Sequence, residues 1–458
     1  MSDTWKRYPF TVPAAEPGHF TFPEADGMPP GLGMSTYYMD GFVTGATGRR
    51  YAFNFVFTAM RLLRRRVHTN FLTVTLFDLA AHRYGTCTEF DLPSPARWWR
   101  GRKLQTAIDH LDVRFAGAAG LSSWANRRGD DGRLLPFASR VELHGRDQDG
   151  RTMGLDLDID AERPPIPLGG DLLRGRMMFL GAPETYAYFQ AGMRMRGRLR
   201  WGDVDEQVEG DVGWIDRQWA PRPFTAFNDW RNARYRSEWR ALQLSNGWDL
   251  CVFSQYLRPA QNRVVPWTGA TAIGPDGEVV AATDVEIVVP AFVRDPGLVR
   301  PLLRLSRGPC YMPYSYRMRI PTMRLEVEAT PFVDAPVQRM PIEYWTGPVS
   351  LRGTMAGASV DGVGFDERSQ VWCRDFEIAE VLRVCVAGLP DGRETRALLH
   401  HVREVEAVLL RGGRVDALRL LRDRIAPALD AVSGAEAGQA RAVLQDLRGL
   451  IVRRVRAR

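Results

Sequence analysis

Up to about residue 376 the chain is organised by alternation of apolar and polar side chains, the period-two signature of β-strands. In residues 51–57, Tyr51, Phe53, Phe55 and Phe57 fall on one face, and in 71–78 the same holds for Leu72, Val74 and Leu76. The cleanest alternation sets Leu155, Leu157 and Ile159 against Asp156, Asp158 and Asp160. No other ligand types lie near these aspartates, so they are expected on the solvent face of an antiparallel strand rather than around a metal. Residues 104–115 and the stretch around Trp98 and Trp99 break the alternation and predict a helical or irregular excursion. Beyond Pro164, Pro165 and Pro167 strands resume, with reversals at 169–170 and 274–277. A second set is expected at about 238–256, 264–273, 280–290, 323–330 and 347–370. Many short strands with frequent turns predict a sandwich or barrel.

After residue 376 the period becomes helical. Leu398, Val402, Val405 and Leu409 form one stripe that 411–413 ends; Val415, Leu418, Leu421 and Ile425 form a second, stopped near Pro427. Leu444, Leu447, Ile451 and Val455 form a third. Stripes this narrow must be covered, by one another, by the strands, by a second copy of the chain or by a membrane surface. At the other end, residues 1–30 are rich in proline and glycine and read as an arm laid over the surface. The expected organisation is therefore an arm (1–30), a first β domain (31–225), a second (226–376) and a helical extension (377–458).

Composition narrows the function classes. The net charge of +7 rests on arginine, since Lys6 and Lys103 are the only lysines, and the arginines are interleaved with acidic residues. That is a mixed-sign solvated surface, and the basic runs at 61–66 and 453–458 lack the aromatic interleaving of a nucleic-acid binder. The five cysteines (Cys87, Cys251, Cys310, Cys373 and Cys385) are scattered, as are the seven histidines, so neither disulfides nor a metal site is expected. No apolar leader region and no run of about 20 apolar residues is seen, which predicts a soluble, cytoplasmic protein with membrane-peripheral contact through the last helix as the alternative. A nucleophile elbow and a phosphate-binding glycine loop are both missing from the sequence.

Four segments carry a family resemblance: Thr36-Tyr-Tyr-Met-Asp-Gly-Phe42 with Gly48-Arg-Arg-Tyr-Ala-Phe-Asn-Phe55; the alternating stretch ending in Pro164-Pro165; Gly213-Trp-Ile-Asp-Arg-Gln-Trp219; and Glu343-Tyr-Trp-Thr-Gly347 with Gly364-Phe-Asp-Glu367. In this order they resemble the hydroxyneurosporene synthase (carotenoid 1,2-hydratase) family and its AttH-like relatives. The resemblance covers residues 33–370 and implies a mainly β fold: two lipocalin-like antiparallel barrels or half-barrels, with a cavity for a hydrophobic isoprenoid, polyene or lipid near their contact. The helical extension lies outside it.

Hydration or cyclisation of an alkene asks for an acid able to protonate carbon and a wall that tolerates a carbocation; no cofactor is required. Asp216, flanked by Trp214 and Trp219, is the best candidate acid, because a carboxyl in an apolar pocket stays protonated near neutrality. Asp216 and Trp219 are therefore the expected catalytic pair, with Tyr38, Phe53, Trp214, Trp230, Gln255, Tyr344 and Trp345 as candidate substrate contacts. Trp214 and Asp216 should share a strand face, with Arg217 and Gln218 turned away. An alternative makes Asp216 a structural clasp, capping a turn or paired with an arginine. Two departures from the hydratase pattern count against carotenoid hydration by the route the resemblance implies: Arg217 stands in place of histidine, and Gln255 in place of an expected acid. Shape-driven cyclisation without an acid, and plain carriage of a hydrophobic molecule, remain open at this point.

Overall fold

The computed structural model describes residues 3–13, 20–28, 31–62, 67–68, 70–91, 102–179, 182–220, 235–258, 264–297, 308–339, 344–369 and 372–456. The alternating segments form two antiparallel sheets, a nearly closed barrel and a half-barrel, followed by helices. The first sheet runs from Arg83–Asp91 through Asn70–Asp78, Arg50–Leu62, Met34–Gly45, Val204–Ala220, Met193–Trp201, Thr152–Ala161 and Leu134–Arg146 to the short strands ending at Leu104–Thr106. Ala182–Ala191 pairs with Val204–Ala220 beside that path. The second sheet has at its centre Asp249–Leu257, Tyr235–Leu244, Ala358–Ser369 and Tyr344–Met355, with Glu286–Arg294 at one edge.

The expected faces are found. Tyr51, Phe53, Phe55 and Phe57 fill the first barrel together with Leu72, Val74 and Leu76. Leu155, Leu157 and Ile159 join the same core, while Asp156 and Asp158 meet Arg140 at 2.9 and 3.2 Å and Asp160 meets Arg127 at 3.0 Å on the outside. The N-terminal arm departs from its reading. Rather than lying over the surface, it sends Trp5, Phe20 and Phe22 into this core, where Phe20 packs on Trp219 and Phe22 on Tyr188. What remains open beside Tyr8, Asp26, Tyr37 and Arg217 is about 20 Å³, room for roughly one water.

Two other local readings change. Residues 104–115 form short strands, Leu104–Thr106 and Asp112–Ala116, rather than a helix, while Trp98 and Trp99 lie outside the described residues. The stretch 238–256 is two strands joined by a turn at 245–248, whose polar residues were too few to interrupt the apolar pattern.

The helical extension comprises Asp375–Ala387, Arg393–Leu410, Arg414–Leu420, Ala426–Asp430 and Ala435–Arg456. Pro427 does not stop the second stripe. It sits in the first turn of Ala426–Asp430, after a π-helical turn at Leu421–Ile425 whose wider ring relieves the clash of the proline with the preceding turn. Apart from Val415, which is exposed, the stripes pack on one another and on Phe292, Tyr311 and Trp372 of the half-barrel. Among the described residues no helix is long and apolar enough to cross a membrane.

Docking of the helices is fixed by a buried ion pair. Arg258 donates to both oxygens of Glu377, at 2.6 and 2.8 Å, and Glu377 also accepts from the backbone N–H groups of Cys373 and Arg374, each at 3.0 Å. Removing one partner strands a buried charge, so Arg258→Met should cost about 3–5 kcal/mol in denaturant unfolding, whereas Arg258→Met with Glu377→Leu should recover most of it. Equal losses in the single and double variants would show that the pair is not what holds the helices down.

Candidate active site

The barrel and the half-barrel meet through strand faces that point away from their own cores. Odd and even positions of a strand leave on opposite sides, so Tyr37 and Met39 enter the first barrel while Tyr38, Asp40 and Phe42 face outward. The same parity turns Trp214 and Asp216 outward from Val204–Ala220. On the half-barrel, Trp239, Ala241, Cys251, Phe253 and Phe365 leave the opposite faces of their strands and join Phe42, Phe77 and Trp214 in one apolar cluster. Phe365 packs edge-on against Phe42 at 5.4 Å and Phe77 at 5.8 Å.

Set into this seam is a group of polar side chains from both halves. Gln338 donates to Asn54 at 2.7 Å and to Thr75 at 2.8 Å, and Asn54 donates to Asp40 at 2.7 Å. Tyr38 and Thr346 share a hydrogen bond of 3.2 Å across the seam. The Tyr344 hydroxyl donates to Glu367, and Gln218 donates to Asp216 Oδ2 at 2.8 Å. Asp40, Asp216 and Glu367 are 1, 5 and 6% exposed. Among the described residues Asp216 Oδ1 and Glu367 Oε1 have no hydrogen-bond partner.

Their protonation follows from burial and mutual repulsion. Desolvation raises Glu367 to about 7, opposed by hydrogen bonds from Tyr344 and Tyr38. Desolvation also raises Asp216 and Asp40 well above the carboxylate range, and the Glu367 charge pushes both further. Glu367 is thus the first of the three to ionise, and its charge keeps Asp216 and Asp40 neutral. Among the described residues no arginine is paired with Asp216: Arg217 leaves the other face of the strand, stacks 3.9 Å over Tyr37 and donates to Ser35, Thr36, Gln218 and Gly27.

The sequence-derived candidates divide by parity. Asp216, Trp214, Tyr38 and Tyr344 come together at the seam, and Gln255 is buried on the strand face shared with Cys251 and Phe253. Gln218 joins them, against the expectation that it turns away with Arg217. Trp219 does not. It lies on the opposite face, inside the first barrel against Phe20 and Tyr186. Phe53 is also in that core, under Gly41, where a Cβ would come within 2.6 Å of its ring. Trp345 faces the half-barrel interior with Cys310 and Met312. Trp230 lies outside the described residues. Asp40 and Glu367 were not singled out from sequence, although both stand in the resemblance segments, each two residues from an aromatic on its own face.

These carboxyls set a pH dependence of stability. Glu367 near 7, with Asp26 and Asp249 near 6, are raised by burial, so their contribution is complete below about pH 4.5 and lost as pH rises through 6 to 7. Glu238 and Glu377, lowered to about 2 by arginines, contribute above about pH 4.5 and lose it as pH falls toward 2. Melting temperature should therefore be highest at about pH 4 to 4.5 and decline from there toward pH 7. Asp216→Asn, which keeps a neutral group, should melt no lower than the parent above pH 7. A melting temperature climbing steadily from pH 5 to pH 8 would contradict neutral buried carboxyls.

Comparison with known proteins agrees with this architecture. No curated protein sequence matches the chain. Among solved structures, an AttH protein from Nitrosomonas europaea superposes with a TM-score of 0.57 at 18% identity, covering 78% of this chain and 99% of that one. Kievitone hydratase from Nectria haematococca gives 0.55 at 15% identity, covering 79% and 98%. The AttH-like family model matches residues 13–367, from within the arm to the seam carboxylate Glu367, and the chain belongs to the AttH-like family.

Proposed function

We propose that the seam is the active site of a cofactor-free enzyme that adds water to, or closes a ring in, a hydrophobic isoprenoid or polyene, starting by protonation of an alkene carbon. The observation that carries this reading is Asp216: buried, held neutral beside Glu367, and with one oxygen uncommitted among the described residues. A neutral carboxyl in an apolar seam is a strong local acid because ionisation there is penalised only until a cation forms next to it. Transfer of its proton to carbon leaves an aspartate facing a carbocation, and the indole of Trp214 and the ring of Phe42, 6.3 Å apart, supply faces that tolerate positive charge. For hydration, water attacks the cation and gives its proton to the Glu367 carboxylate. Return of that proton to Asp216 restores the starting state. For cyclisation, a second double bond attacks instead and the proton returns from carbon. That one structural neighbour is named a hydratase agrees with this chemistry.

The test is turnover of a panel of acyclic isoprenoids and polyenes followed by mass spectrometry in ¹⁸O-water, where hydration adds labelled water and cyclisation changes retention without mass. Asp216→Asn and Glu367→Gln should each lower the rate about 10²–10⁴-fold. The rate of the parent should rise with pH through about 7, as Glu367 ionises, and fall again at higher pH. Full turnover by Asp216→Asn would remove the acid and leave catalysis by shape; bound but unchanged substrate in the parent would make the protein a carrier.

A further inference from the structure

The cysteines are scattered along the sequence, and the fold sorts them. Cys87 packs against the first barrel core, Cys251 lies in the seam cluster and Cys385 borders the helical core, whereas Cys310 and Cys373 share one small apolar cluster with Met312, Ala335, Val337 and Trp345. Both are present as thiols, 5 and 8% exposed. Cys310 stands at the entry to strand Tyr311–Ile320, and Cys373 just before helix Asp375–Ala387.

What sets these two apart is their register. Tyr311 and Trp372 form an antiparallel pair that exchanges both backbone hydrogen bonds, at 2.8 and 2.9 Å. The residues one step back on one strand and one step on along the other then form a non-hydrogen-bonded pair, with Cα atoms about 4.5 Å apart and side chains on one face. Cys310 and Cys373 occupy those two positions. Side-chain placement agrees: Tyr311 and Trp372 go to the helical core, and the two cysteines leave the other face together. Pro309, which has no N–H, stops the pairing from running further. A disulfide spans Cα separations of about 4.4–6.8 Å, a range this position meets. Arg258 donates from Nη2 to Cys373 Sγ at 3.7 Å, so a thiolate formed there has a cation beside it.

We propose that Cys310 and Cys373 are a dithiol site that hydrogen peroxide converts to a cross-strand disulfide, stapling the half-barrel to the first helix of the extension. The Cys373 thiolate attacks one peroxide oxygen; the O–O bond breaks, a sulfenic acid forms, and the departing hydroxide takes the thiol proton to become water. The Cys310 thiolate then attacks the Cys373 sulfur, the S–O bond breaks, and hydroxide leaves with the Cys310 proton as a second water. Two thiols are oxidised to one disulfide, and one peroxide is reduced to two waters. The new bond lies beside the Arg258–Glu377 ion pair, whose carboxylate already holds the Cys373 N–H, at the point where the chain passes from the half-barrel into the helices. It closes residues 310–373 into one loop and so restricts the unfolded chain.

The test treats the full-length, reduced protein with hydrogen peroxide under native conditions, alkylates it in denaturant, digests it without reduction and maps the peptides by mass spectrometry. A linked pair joining Cys310 to Cys373 is expected, with Cys87, Cys251 and Cys385 alkylated, and dithiothreitol should return both linked thiols. Melting temperature should rise by about 5 °C on oxidation and fall back with dithiothreitol, which does not reverse methionine oxidation. In Cys310→Ala the rise should vanish and dimedone should trap a sulfenic acid at Cys373. If that variant fails to fold, the peptide map of the parent still decides. Alkylation of both Cys310 and Cys373 after peroxide, a link from either to another cysteine, or sulfenic acid persisting at Cys373 in the parent would overturn the site. A Cys310–Cys373 link without a reversible rise in melting temperature would overturn its role as a staple.

Discussion

Alternate side chains leave a strand on opposite faces, and every strand at the junction of this protein is made to serve two environments by that rule. Met34–Gly45 gives Tyr37 and Met39 to the first barrel and Tyr38 and Asp40 to the seam; Ala358–Ser369 gives Phe365 and Glu367 to the seam and Asp366 and Arg368 to the half-barrel. A slip of one residue in either strand would exchange these sets, moving carboxyls into a packed aromatic core and bulky rings into the polar seam. The register of the two sheets is therefore what assembles the candidate site, and the long ladders on both sides of the seam are what hold that register.

Because each wall has two faces, burying charge is solved in two different ways a strand's thickness apart. At the seam, no arginine among the described residues pairs with the carboxyls, and desolvation and mutual repulsion hold two of the three in the neutral form. In the half-barrel, carboxylates are surrounded by guanidinium groups, and Glu238 stays ionised down to about 2. The first arrangement keeps protons available; the second fixes charges and geometry. Arg217 belongs to neither. It replaces a residue type that would sit near the acid in the resembling hydratases, yet it turns into the first barrel and hydrogen-bonds the arm through Gly27. Its presence does not quench Asp216, because the strand backbone lies between them.

Much of the fold was legible because alternation over long strands needs no knowledge of partners. Tyr51, Phe53, Phe55 and Phe57 announce a core face from sequence alone, as do the helical stripes at Leu398 and Leu444. What alternation cannot say is which of two buried faces belongs to which core. Trp219 was grouped with Asp216 through proximity in sequence, but an odd separation puts the two on opposite sides of the sheet. Phe53 and Trp345 fail as seam residues for the same reason. Asp40 and Glu367 are the converse case: they share no local motif, and only pairing of distant strands reveals that each repels Asp216 or its neighbours. The arm was misjudged because proline and glycine mark irregular backbone, not exposure, and its aromatics Trp5, Phe20 and Phe22 were the signal that it is buried.

The helical extension, which no family segment explains, answers a need created by the half-barrel. A sheet that does not close leaves the edge strand Glu286–Arg294 with unpaired backbone groups and exposes the concave face behind it. The helices occupy that position: Phe292 from the edge strand and Tyr311 and Trp372 beside it are shared with the helical core. Asp446 accepts from Arg294 at 2.8 Å and from Tyr311 at 2.7 Å, tying the last long helix to the edge as Arg258 ties the first to the interior. In this arrangement the helices cover the open side of the half-barrel, opposite the sheet that bears Glu367 on its far side. That wall and roof keep the network of Arg236, Glu238, Arg240, Asp366 and Arg368 from water, where each ion pair is stronger than it would be at the surface.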